Sequence, residues 1–252
     1  MPQIIDKELV TRRFRRSLSS YDRAAIVQSA MANRLVELLS TVAPQRRFRN
    51  TLEIGCGTAL LTRKLLEQLG LDRIVANDIV SECRASVAGV ARDYPGCRIE
   101  FVDGDIETVV LPKQLDLIVS NATFQWLADV DQFVTNAHDV LQEVGLLAVA
   151  TFGPGTLKEI AEVTGISLQY RTPDDYQAML RDRFELLALE DATQEMRFES
   201  VRDVLRHLRN CGATGVSTQR WSRDDLKDFE NQYLKKFCSA GKVALTYCPL
   251  FF

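Results

Sequence analysis

Two glycines and a carboxylate, spaced to cradle a nucleoside, carry most of the chemical information in this 252-residue chain. The run Leu52-Glu53-Ile54-Gly55-Cys56-Gly57-Thr58 reads as a buried strand that enters a glycine turn. Gly55 and Gly57 let the backbone approach a ligand closely, because a Cβ obstructs either the turn or the contact. Leu60, Leu61, Leu65, Leu66 and Leu69 recur at helical spacing, so the turn opens a helix packed on a sheet. Asp78 follows Ile74-Val75-Ala76-Asn77, about 20 residues past the glycines, where nucleotide-binding α/β folds place a ribose hydroxyl acceptor. Together these features point to a cofactor that contains adenosine. The dinucleotide pattern is not met, since Leu60 stands where its third glycine belongs.

These groups need strands to present them. Strands are expected over 51–54, 74–78, 98–102, 115–120 and 145–152, with helices at about 59–69, 81–93 and 131–141. Such alternation implies parallel β-α units with helices on both faces of the sheet. Residues 1–44 read as an amphipathic helical cover, with Val10, Phe14, Leu18 and Tyr21 on one face. Residues 45–152 form the cofactor-binding core of a single domain. Residues 153–252 hold lid helices and the last two strands, expected over 184–190 and 243–247. Short helices are expected over 156–165 and 172–180. Ser200 and Ser222 each precede an acid by three residues and read as caps of two longer helices.

Composition bounds the function. A hydrophobic content of 46% and a charged content of 26% fit a globular protein. A net charge of -3 gives no global case for nucleic acid or an anionic membrane. Six scattered cysteines without a C-x-x-C pair, and only two histidines, argue for reduced thiols and against a metal site. No apolar run approaches a membrane span, and a cytoplasmic location is expected.

The form E-x-G-x-G-x, with Ala59 where glycine is usual, resembles the first motif of class I S-adenosylmethionine-dependent methyltransferases. That resemblance implies a Rossmann-like α/β fold with a mostly parallel seven-stranded sheet, an N-terminal helical cover and a helical lid. It implies cofactor contacts at Glu53, Gly55, Cys56, Gly57, Asp78 and Ile79. Asp105 can accept from the adenine amino group while Ile106 packs on the ring, and Asn121 can hold the amino-acid end. The local alternatives are turn or cap roles for Asp105 and Asn121, and core packing for Trp126.

Several blocks are more specific. Ser120-Asn121-Ala122-Thr123-Phe124-Gln125-Trp126 is similar to the malonyl-acyl-carrier-protein methyltransferases of biotin synthesis. So are Arg13-Phe14-x-x-Ser17-x-x-x-Tyr21-Asp22-x-Ala24-Ala25-x-x-Gln28 and Phe152-Gly153-Pro154-Gly155-Thr156-Leu157-x-Glu159. The resemblance implies methylation of the free carboxyl of a malonyl thioester on acyl carrier protein or coenzyme A. A carboxylate is already ionised at neutral pH, so no general base is required. Catalytic candidates are Tyr21, Gln125 and Trp126; substrate-binding candidates are Arg13 and Gln28. Arg202 and Arg206, near Arg197 and Arg209, are candidates for docking an acidic carrier protein. Two rival readings share the cofactor residues: a methyltransferase for a polycarboxylic acid or quinone precursor, and a non-catalytic adenosylmethionine-binding or assembly protein.

Overall fold

The computed structural model describes residues 5–213 and 221–252. Seven strands form the central sheet: β1 (Thr51–Ile54), β2 (Arg73–Asp78), β3 (Arg98–Asp103), β4 (Leu115–Asn121), β5 (Leu141–Phe152), β6 (Glu190–Asp191) and β7 (Pro249–Phe251). Their spatial order is β3-β2-β1-β4-β5-β7-β6. β1 to β5 run parallel, and β7 alone is antiparallel to both its neighbours. The order reverses between β1 and β4, so the loops at their carboxyl ends part and leave a crevice.

Side-chain alternation along these buried strands builds two cores. Leu52, Ile54, Ile118 and Val149 face helix α5 (Val130–Val140) and helix α7 (Pro173–Leu180), through Phe133, Val134 and Tyr176. Leu117, Val119 and Ala148 face the other layer, where helices α2 (Ile26–Val42), α3 (Leu60–Gln68) and α4 (Arg84–Asp93) pack. Helices on both faces account for the near-continuous apolar run in β4.

The N-terminal cover is two helices rather than one. Helix α1 (Lys7–Ala24) ends where Ala25 leaves the helical region, and α2 starts in a new direction. α1 lies across the carboxyl ends of the strands and is pinned at both ends. Lys7 pairs with Asp105 and Glu107 in the β3–β4 connection, and Asp22 accepts from the Thr58 hydroxyl at 2.5 Å.

The lid departs from expectation in its strands. Residues 184–189 form no strand, and only Glu190–Asp191 pairs with β7. Leu186 and Leu189 instead pack irregularly on the α5–α7 core. Lys242–Tyr247 is a strand, as expected, but it belongs to a separate antiparallel sheet with Gln194–Phe198 and Cys238–Ser239. Helix α8 (Val201–Asn210) and helix α9 (Arg223–Phe237) cover that sheet, each started by the serine read as its cap. Helix α6 (Lys158–Thr164) is tied to it by Glu159, which is buried and accepts from Thr246 N–H at 2.9 Å and from its hydroxyl at 2.5 Å.

Replacing Glu159 with alanine strands a buried N–H and frees α6 from the lid. The Glu159→Ala protein is expected to lose about 2–4 kcal/mol in urea unfolding. A loss within the scatter of surface substitutions would show that α6 is held by apolar packing alone.

Candidate functional site

Three left-handed residues shape the turn after β1: Gly55 (φ 68°), Gly57 (φ 53°) and Ala59 (φ 61°). A Cβ on Gly55 would lie 2.0 Å from Thr123 Oγ1, so this glycine is required by contact as well as by backbone. A Cβ on Gly57 would meet nothing within 4 Å and would project into the open cavity beside it. Ala59 sits at the start of α3 in a conformation that costs an L-residue about 1–2 kcal/mol. Its extra methyl is therefore strained rather than freely tolerated.

Asp78 fixes the turn to the end of β2. Its carboxylate accepts from Gly57 N–H and Val80 N–H, both at 2.8 Å. Burial pushes its pKa up, and those two N–H groups oppose the shift. Asn77 joins the next strand by donating to Val102 and Gly104 carbonyls at 3.1 and 2.9 Å.

A cavity opens over these strand ends. Gly55, Gly57, Asp78, Ile79, Asp105, Ile106 and Asn121 all line it, and Phe14, Leu18 and Tyr21 of α1 roof it. Asp105 shares Lys7 with Glu107, which in turn accepts from Ala128 and Asp129 N–H at 2.9 and 2.7 Å. Asn121 donates its amide to the Gln28 carbonyl at 3.0 Å, and its buried Oδ1 has no donor among the described residues. The cavity thus holds an open cradle at Gly57, carboxylates at two strand ends and an unfilled acceptor. That set fits a nucleoside bearing a cationic amino-acid tail.

Two expected cofactor contacts fall elsewhere. Glu53 points to the opposite face of β1, buried, and accepts from the Thr62 hydroxyl of α3 at 2.6 Å. Strand alternation puts it there: Ile54 faces the α5–α7 layer, so Glu53 faces α3. Cys56 is buried in the core beneath the turn and contributes its N–H to the Asn77 carbonyl at 2.9 Å. Burial drives its thiol pKa well up. Both residues support the turn from behind.

A second cavity of about 290 Å³ adjoins the first. Phe14, Tyr21, Ala122 and Trp126 line both. Phe14 stands edge-on to Trp126 at 5.9 Å and tilts against Tyr21 at 6.3 Å. Arg13, Gln28 and Gln125 also line the second cavity, which brings the N-terminal candidates together although Gln28 lies on α2, beyond the break. Gln125 donates to the Ala122 carbonyl at 2.7 Å and accepts from the Thr151 hydroxyl at 3.1 Å, so its amide braces the wall. The Tyr21 hydroxyl makes no hydrogen bond among the described residues, and burial with nearby carboxylates pushes its pKa far up.

Arg202 and Arg206 do not reach either cavity. They lie exposed on α8, paired with Glu230 and Asp203 at 2.7 Å each. His207, on the same helix, is buried and bonded to the Tyr247 hydroxyl at 2.8 Å. Lys7, Phe14, Cys211 and Tyr170 also line the cavities. Lys7 reaches the site through a partner about 100 positions away, for which one sequence offers no signal.

Comparison with known proteins follows this geometry. Residues 52–149 match the family model described as a methyltransferase domain. The chain is 41% identical over 252 residues to a malonyl-(acyl-carrier protein) O-methyltransferase of Chlorobium phaeovibrioides, covering 100% of this chain and 97% of that one. A protein of the same name from Haemophilus influenzae is 35% identical over 249 residues, covering 98% and 94%. The YcgJ protein from Bacillus subtilis shares the fold at a TM-score of 0.61 and 14% identity, over 86% of this chain and 96% of that chain.

Glu53 gives the site a measurable pH signature. Burial, only partly offset by the Thr62 hydroxyl, raises its pKa from 4.5 to about 8. The folded protein therefore binds more protons than the unfolded chain between these values, and this residue's contribution falls as pH rises through that window. Glu53→Gln has no proton to lose. Its melting temperature relative to the parent is expected to rise between about pH 5 and about pH 8.5; a difference independent of pH would contradict a neutral buried Glu53.

Proposed function

The chain belongs to the malonyl-(acyl-carrier protein) O-methyltransferase family, and we propose that its second cavity receives the malonyl end of a carrier-bound thioester and presents the free carboxyl for methylation. The methyl ester would mask the acid for later chain extension toward biotin. S-adenosylmethionine is the cofactor, and when bound it supplies a methyl group on a sulfonium, open to in-line displacement. The residues of the first cavity fit it: Asp78 for the ribose, Asp105 and Ile106 for the adenine, and Asn121 for the amino-acid end.

One observation carries the substrate reading. Among the described residues lining the second cavity, Arg13 is the only ionised side chain. A polycarboxylic acid would bring two or three charges to one guanidinium, which disfavours that rival. A phenolic quinone precursor would need a base. The phenols of Tyr21, Tyr170 and Tyr247 are all driven up by burial, and the Cys211 thiol is pushed up to about 12. A monoanionic carboxyl, already ionised, suits a cavity with a cation and no base.

The wall then acts by position and dryness. Phe14, Trp126 and the roof of α1 exclude water from the junction, where the charges of a sulfonium and a carboxylate cancel as the methyl moves. Tyr21 keeps its proton and donates a hydrogen bond rather than taking part in proton transfer. Docking of an acidic carrier would use Arg202 and Arg206 on α8, together with Arg209 on the same helix and Arg12 and Arg16 on α1. The last three have no ion pair among the described residues.

Incubation with methyl-labelled adenosylmethionine and malonyl carrier protein tests this reading. Label is expected in a base-labile ester, with a kcat at saturating cofactor that is flat from about pH 6.5 to about 9. Cofactor binding without transfer would favour the non-catalytic rival, and an essential base near neutrality would favour a protonated acceptor. Tyr21→Phe is expected to lower kcat about tenfold with unchanged adenosylhomocysteine affinity. An equally fast variant would remove the hydroxyl from the reaction.

A further inference from the structure

Six buried side-chain polar atoms have no hydrogen-bond partner among the described residues: Arg13 Nε, Gln28 Oε1, Thr51 Oγ1, Glu53 Oε1, Asn121 Oδ1 and Trp126 Nε1. Thr51 and Glu53 lie on β1, away from both cavities. The other four belong to cavity walls, and they sort by sign. Arg13 and Trp126 both line the second cavity, and their orphan atoms, Nε and Nε1, are donors only, because neither a guanidinium nor an indole can offer a lone pair by rotating. Buried donors without acceptors are rare in folded proteins, and two on one cavity wall call for a ligand that accepts from both.

We propose that Arg13 Nε and Trp126 Nε1 together hold the acceptor carboxylate, and that this two-donor clamp sets the selectivity of the enzyme for an anionic acyl end. The assignment rests on the carboxyl-methyltransferase reading above. Its two halves do different work. Arg13 supplies the only positive charge among the described residues lining the cavity, so it selects an anion over a neutral acyl group. Trp126 also lines the cofactor cavity, so an oxygen on its N–H lies at the side where the two spaces meet. Phe14, next to Arg13 in the chain, packs edge-on against the Trp126 ring and so links the two residues through one aromatic contact. A carboxylate gripped along one edge by two single N–H groups keeps lone pairs free for attack, unlike one gripped by the full guanidinium fork.

The clamp separates a charged acyl end from a neutral one of the same shape. The malonyl thioester of acyl carrier protein is used as substrate, and its malonamoyl counterpart, with a primary amide in place of the carboxylate, as competitor. The parent enzyme is expected to show a malonyl KM at least about tenfold below the malonamoyl inhibition constant. Arg13→Gln and Trp126→Phe should each raise the malonyl KM about tenfold and leave the malonamoyl constant within about twofold. Adenosylhomocysteine affinity should not change in Arg13→Gln, because Arg13 lines the second cavity and not the first.

Unmoved malonyl KM values in both variants would overturn the clamp while leaving the methyltransferase reading intact. A parallel rise in the malonamoyl constant would also overturn it, by showing general damage to the cavity. If the parent transfers no methyl to malonyl carrier protein, the functional reading itself is wrong. Arg13 is half-buried on α1, so its variant gives the answer even where Trp126→Phe is recovered unfolded.

Discussion

The aromatic wall common to the two cavities governs everything else in this structure. Phe14 and Tyr21 come from α1, Ala122 and Trp126 from the segment after β4, and the four residues border both spaces. The strand ends alone leave the first cavity open on the side that α1 roofs. An open cavity does not exclude water from the place where the proposed reaction brings opposite charges together. The pins on α1 are Lys7 to Asp105 and Glu107 at one end and Asp22 to Thr58 at the other. They tie the roof to the same loops that define the cofactor floor.

Charge follows a consistent pattern around that wall. Groups that could move protons are kept protonated by burial: Tyr21, Cys56 and Cys83 are all pushed upward. In the first cavity Asp78 accepts from two backbone N–H groups, and those donors hold the turn as well as the charge. Such a site is poor at acid–base catalysis. For an acceptor that arrives ionised it needs none, and the barrier is lowered by orientation and by removal of solvent.

The parallel core was legible because its signals are local. Leucines at helical spacing after Gly57 and the apolar run of β4 place α3 and the central strand within a residue or two. The same topology brings the strand-end residues proposed for the cofactor to one cavity. Glu53 and Cys56 were misplaced because a motif names positions without stating which face of the strand each side chain takes. The lid was less legible for non-local reasons. Gln194–Phe198 is a largely polar strand whose partner lies some fifty positions away, and Pro249 opens β7 although proline argues against a strand. The leucines of residues 184–189 look like a strand because they are apolar, yet they are held by packing on a helix layer. The ion pair of Arg202 was not legible either, since Glu230 lies on a different helix, whereas Asp203 stands three residues before Arg206 on the same helix.

The account turns on where the two reactants meet, and a crystal structure with adenosylhomocysteine measures that directly. The adenine is expected between Ile106 and Asp105, the ribose on Asp78, and the sulfur at the wall of Tyr21 and Trp126, open to the cavity that Arg13 lines. Finding the sulfur turned away from that wall, or the ligand off the ends of β1 and β2, would contradict it.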